Sequence, residues 1–280
     1  MTQSRPDLAM KALADFWADM GFEEARALGG GAGGGVGGAR PGRPAAAPVQ
    51  ARPVDRSPGG PRPEPRRLSN NPIAEARRLA AGAKTLGELR TAIERFNGCP
   101  LKAAAKNTVV CDGTFDAPVM IVGEAPGGEE DVKGLPFVGR AGQLLDRMLA
   151  TIGLSRAENV YITNLIYWRP PGNRDPSPTE MQTCAPFLAR QIELKAPKLL
   201  LTAGKFATQA MLGTEDGIMR LRGRRLRFTQ EGLPAPIPCI PLLHPAYLLR
   251  RPEDKAKAWE DLLTIAALCD ELGIKRGPAL

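Results

Sequence analysis

The spacing of apolar and polar positions divides this chain into a patterned start, a long stretch without pattern and a patterned remainder. Leu8, Ala12, Phe16 and Met20 recur at helical spacing, with Leu13 and Trp17 beside them, and predict an amphipathic helix within residues 1–27. Residues 28–70 are Gly-rich to Gly38 and then rich in Pro, Arg and Ala. That composition cannot bury a core and predicts a disordered linker. A helix set apart in this way either docks a protein partner or packs back on the main domain.

From Asn71 the pattern is that of a folded domain, 71–280. Asn71-Pro72 is an N-cap followed by Pro at the first helical position, and predicts a helix to about Gly82. Thr85 and Glu88 have capping-box spacing and open a second helix to about Phe96. Short apolar runs predict strands at Thr108–Cys111, Val119–Val122, Asn159–Asn164, Lys198–Thr202 and Ile237–Leu242. Helices are predicted at Leu144–Ile152, from the Ser177/Glu180 capping box to about Leu194, from Gly204 to Leu212, and over most of Pro252–Leu272. Trp168–Pro176 reads as a Pro/Gly loop and Arg220–Phe228 as a short hairpin. Strands alternating with helices place the domain in the α/β class, with three layers and a largely parallel sheet.

Composition changes the picture in two respects. The formal net charge of +8 points to a polyanionic partner such as nucleic acid, without fixing the fold. The five cysteines are odd in number and scattered, which fits a reducing, cytoplasmic setting better than a disulfide framework. No apolar run is long enough to span a bilayer, and no signal-peptide pattern is visible.

The candidate chemistry lies at strand ends. Val119–Val122 breaks at Gly123 and delivers Glu124 onto the turn formed by Pro126, Gly127 and Gly128. The next long strand ends in Asn164, and the last runs toward His244, the one histidine of the chain. In parallel sheets the strand C-termini share one edge, and ligands bind beyond it. Phe137, on the loop after Glu124, adds a flat ring. A carboxylate, a carboxamide, an imidazole and a stacking surface together suit a planar nucleobase. Taken singly, Glu124 could be a solvated turn residue, Phe137 core, Asn164 a satisfied turn residue and His244 a cap.

Four segments in order carry a family resemblance. They are Gly123-Glu-Ala-Pro-Gly127, Gly134–Asp146, Thr163-Asn164 leading to Arg169–Arg174, and His244-Pro-Ala-Tyr-Leu-Leu-Arg250. Over residues 85–270 the chain resembles the family 4 uracil-DNA glycosylases, which usually carry an iron–sulfur cluster. The resemblance implies a three-layer α/β/α sandwich with a central, mostly parallel four-stranded sheet. It also implies hydrolysis of the uracil–deoxyribose bond in DNA, on a nucleotide flipped out of the base stack, by a monomer.

By the same resemblance, Asn164 reads the uracil edge, Phe137 stacks on the ring and His244 stabilises the departing base. Glu124 handles water, Ala125 lines the pocket, and Glu130 helps exclude the thymine methyl. Leu248, Leu249 and Arg250 form the wedge that replaces the flipped nucleotide, or else a plain helix start, and Arg174 contacts DNA. The basic run Arg220, Arg222, Arg224, Arg225 and Arg227 is either a phosphate contact or an exposed structural element.

The chain departs from the family at the cluster. Relatives hold it with four cysteines. Here Cys99 and Cys184 fit two positions, while Phe96 and Trp168 occupy the others. The expectation is that no cluster is bound and that packing fills its place. Some superfamily members capture DNA covalently through a loop histidine, but residues 140–145 contain none, so turnover is expected. The alternative function is a non-catalytic protein that binds uracil-DNA or other nucleic acid on the same fold. A nucleotide-phosphate binder at Gly123–Gly128 lacks the Lys-Ser/Thr of a P-loop.

Overall fold

The computed structural model describes residues 71–279. The predicted N-terminal helix and linker lie outside the described residues. The domain opens with α1 (Pro72–Gly82), where the Asn71 side chain accepts from the Ala74 amide at 3.0 Å. In α2 (Leu86–Arg95) the Thr85 hydroxyl accepts from the Glu88 amide at 3.1 Å, but the Glu88 carboxylate takes the amide of Lys84, one residue early for a reciprocal box.

The run Thr108–Cys111 is not a strand. Val109, Val110 and Cys111 are buried, and Val109 donates to the Tyr167 carbonyl at 2.8 Å, but the ladder forms only at β1 (Asp112–Gly113). The central strands are β2 (Val119–Gly123), β3 (Val160–Asn164), β4 (Leu199–Ala203) and β6 (Ile237–Leu242). All four pair in parallel, as expected. Short antiparallel strands, β1 against β3 and β5 (Leu226–Phe228) against β6, extend the sheet to six, in the order β1-β3-β2-β4-β6-β5. The predicted hairpin at 220–228 is instead a helical turn, α7 (Ile218–Leu221), followed by β5.

Every residue of β2, β3 and β4 is buried, because helices cover both faces of the sheet. Met120, Val122, Tyr161, Leu200 and Cys239 point into one core, beneath α1, α2 and α5 (Pro178–Lys195). The intervening residues, such as Ile121 and Leu201, face the opposite layer by the pleat. That layer contains α4 (Arg140–Ala150), α8 (Pro245–Arg250) and α9 (Lys255–Glu271). A short helix, α3 (Gly128–Lys133), follows β2, and α6 (Lys205–Leu212) follows β4. β2 is flanked by β3 on one side and β4 on the other, so the chain reverses its winding direction there. That topological switch point is where open α/β sheets bind ligands.

Candidate active site

A pocket of about 520 Å³ lies at this edge, lined by Glu124, Ala125, Glu130, Phe137, Asn164 and His244 among others. Strand register explains part of the convergence. Gly123, the last residue of β2, pairs with Asn164, the last of β3, so Glu124 leaves the sheet beside the carboxamide. On the other side Gly204 follows β4 with φ +92°, and a Cβ there would stand 2.9 Å from the Cβ of His244. Glycine at this position lets the imidazole approach the sheet edge.

Phe137 is held in a conformation it would not choose. Its φ is +52°, and its ring is buried against Gly123, where a Cβ would meet the ring at 2.5 Å. Two side chains hold it there. Glu130 Oε1 accepts from the amides of Val138 and Gly139 at 2.9 Å each. Arg156, bound to Asp112 and Asp146, donates to the carbonyls of Pro136 and Phe137 at 3.1 and 2.8 Å. The ring lies 5.6 Å from that of His244, tilted by 31°.

The protonation states can be read from the surroundings. Burial, reinforced by the charge of Arg250, pushes the His244 imidazole down to about 4, so it is neutral at pH 7. Its Nδ1 accepts from the Ala246 amide at 3.1 Å, which leaves the ring proton on Nε2. Glu124 is raised to about 7, first by burial and then by the nearby charge of Asp175. Asn164 is 1% exposed, and its Oδ1 is buried with no hydrogen-bond partner in the protein. The pocket therefore contains a partnerless acceptor, a neutral N–H donor, an aromatic face and a carboxylate that is half ionised near neutrality.

Comparison with known proteins decides the family. Residues 111–263 match the model of the uracil DNA glycosylase superfamily. The chain belongs to that superfamily, in its type-4 branch. It is similar to the type-4 uracil-DNA glycosylase of Archaeoglobus fulgidus, with 39% identity over 190 residues that cover 66% of this chain and 94% of that protein. The type-4 enzyme of Thermotoga maritima is 40% identical over 159 residues, 56% of this chain and 80% of the relative. That of Saccharolobus solfataricus is 40% identical over 174 residues, 60% of this chain and 79% of the relative.

Other predicted positions of this glycosylase domain fare unevenly. Leu248 is 1% exposed, because α8 packs that side toward α4; it is a core residue and cannot be a wedge. Leu249 is half-buried and Arg250 exposed at the pocket rim. Arg174 also lines the pocket, but its guanidinium is bound to Glu180 at 2.6 and 2.9 Å, which secures the capping box of α5. In the basic run, Arg220, Arg222 and Arg225 are paired with Asp216, Asp261 and Glu271. Their first use is structural. Sequence reasoning missed Asp175, Lys205, Phe206 and Tyr247, all pocket residues. A signal was available for Asp175, which follows the Arg169–Arg174 segment directly, but nothing in its spacing pointed toward Glu124.

Proposed function

We propose that this protein hydrolyses the N-glycosidic bond between uracil and deoxyribose in DNA, leaving an abasic site for repair. The observation that carries the reading is the buried Oδ1 of Asn164. A buried acceptor without a donor costs about 1–3 kcal/mol, and a ligand that supplies the donor recovers it. Uracil carries N3–H on its Watson–Crick edge and O4 beside it, which match a carboxamide acceptor and donor. Cytosine offers an unprotonated N3 there, so it leaves the acceptor unpaired and is rejected. Phe137 stacks on the ring. Glu130 and Ala125 line the wall, with Glu130 narrowing the space for a thymine methyl.

The reaction then follows from the protonation states. As the bond from C1′ to N1 breaks, its electron pair passes to the uracil ring and toward O2. The Nε2–H of His244 donates to that oxygen and stabilises the developing anion. A neutral donor suits a leaving group that departs as an anion. Water adds to C1′ and loses a proton to the Glu124 carboxylate, which also favours the cationic sugar. Leu249 and Arg250 fill the gap in the duplex, with Arg174 near the backbone.

The protein works as a monomer on DNA in the cytoplasm, a setting that five unpaired buried thiols fit. No described helix is long and apolar enough to cross a membrane. Uracil release from a single-uracil oligonucleotide tests the central claim. The parent should release uracil, and Asn164→Ala and His244→Ala should each be slower by about 100-fold or more. Binding by the parent without release would overturn the proposal in favour of a non-catalytic binder.

A further inference from the structure

The four positions at which the resemblance implies cluster ligands come together in space. Phe96, Cys99, Trp168 and Cys184 belong to one buried core, each at most 1% exposed. The Phe96 and Trp168 rings are 6.3 Å apart. Phe187 meets Phe96 edge-on at 5.1 Å, and Tyr167 meets Trp168 edge-on at 6.0 Å. Cys99 and Cys184 are both free thiols buried in this core. Trp168 Nε1 donates to Thr108 Oγ1 at 3.0 Å. The Lys102 ammonium stands 5.8 Å from the Trp168 ring centroid and donates to the Phe96 carbonyl at 2.7 Å. The Phe96 ring folds back so closely over Gly98 that a Cβ there would meet it at 2.4 Å.

These residues do not fit a cluster. Two thiols remain of four, the space between the positions holds two aromatic side chains, and no group of three His, Cys, Asp or Glu among the described residues could hold a metal. We propose that the domain binds no iron–sulfur cluster and that the Phe96–Trp168 plug, with Cys99 and Cys184 as small apolar fillers, replaces it as the clasp between residues 96–102 and the loop after β3. That loop follows directly on Asn164, the last residue of β3, and reaches the pocket wall at Pro170 and Arg174. The plug is therefore a positioning device for the residue that faces the base. Trp168 is four positions beyond Asn164, and any shift of the ring is passed along a short, buried segment.

The full chain, purified under anaerobic conditions, should contain far less than one iron per chain and show no visible absorption. About four irons per chain with a broad band near ~400 nm would overturn the inference. This readout is independent of uracil release, so failure of the proposed activity and failure of the clasp are distinguishable. The Cys99→Ala/Cys184→Ala variant should stay soluble and bind and release uracil within about three-fold of the parent, because the thiols act only as small hydrophobes. Loss of the folded state in that variant, or of a chromophore carried by the parent, would count against it. For the positioning role, Trp168→Ala should raise KM for uracil-DNA more than it lowers kcat, and Trp168→Phe should restore most of the loss. Equal effects of the two substitutions would refute it.

Discussion

Replacing Glu124 with Gln should make the protein more stable and less active at once, and the stability gain should depend on pH. Burial and Asp175 raise the Glu124 carboxyl from the ordinary 4.5 to about 7. The folded state therefore holds this proton more tightly than the unfolded chain. Stability from the protonated form is fully present below about 4.5, and is lost as pH rises through about 7. At pH 8 the ionised side chain costs the fold about 3 kcal/mol, at roughly 1.4 kcal/mol per decade of proton affinity. The pocket is open to solvent, so screening reduces this to about 1.5–3 kcal/mol. Glutamine keeps the shape and never ionises. For a domain of this size each kcal/mol is worth roughly 2–4 °C in Tm, so Glu124→Gln should melt roughly 3–12 °C higher than the parent at pH 8. At pH 5 the cost is below about 1 kcal/mol and the gain should shrink to roughly 1–3 °C. Calorimetry of both proteins at the two pH values tests this, alongside uracil release, which should fall by about 100-fold or more. An equal Tm at pH 8, or the same gain at pH 5, would refute the assigned cause.

The same carboxylate should give kcat/KM a single acid limb near pH 7, with no second limb from His244, which is already neutral above about 4; Asp175→Asn should move the limb to lower pH, and an unmoved limb would exclude Asp175 as its cause. Asn164→Ala should abolish most activity without lowering Tm, because the lost packing is offset by removing an acceptor that costs about 1–3 kcal/mol; a large fall in Tm would show that the amide is structural. Trp168→Ala should cost about 3–5 kcal/mol, or roughly 6–20 °C in Tm, measured by calorimetry.

What could be read in the sequence were features that depend on local chemistry. The Asn71 cap and the Ser177–Glu180 box form as their spacing predicts, and β2, β3, β4 and β6 are short apolar runs bounded by glycine, turn residues or proline. Glu124, Asn164 and His244 meet because parallel strands share a C-terminal edge, a rule that needs no coordinates. What could not be read depends on which face packs on what. Thr108–Cys111 has a strand's composition but gains its burial from Tyr167 and the helical layer, so the ladder shifts to Asp112–Gly113. Helix α3 has charges through most of its length and no apolar stripe to betray it. Leu248 and Leu249 are chemically alike, and only the seating of α8 makes one core and leaves the other half-buried. Asp175 influences Glu124 across some fifty residues of chain, a proximity that no spacing rule encodes.

The anchoring of Phe137 from both sides has a consequence for how damage is found. Its left-handed backbone is held by Glu130 and Arg156, contacts made within the protein itself, so the shape of the slot for the base does not depend on contacts with DNA. A rigid receiver leaves the conformational work to the substrate. The toll for each encounter is then set by how readily a nucleotide swings out of its helix. Uracil opposite guanine, or in a single strand, should be excised ahead of uracil properly paired with adenine.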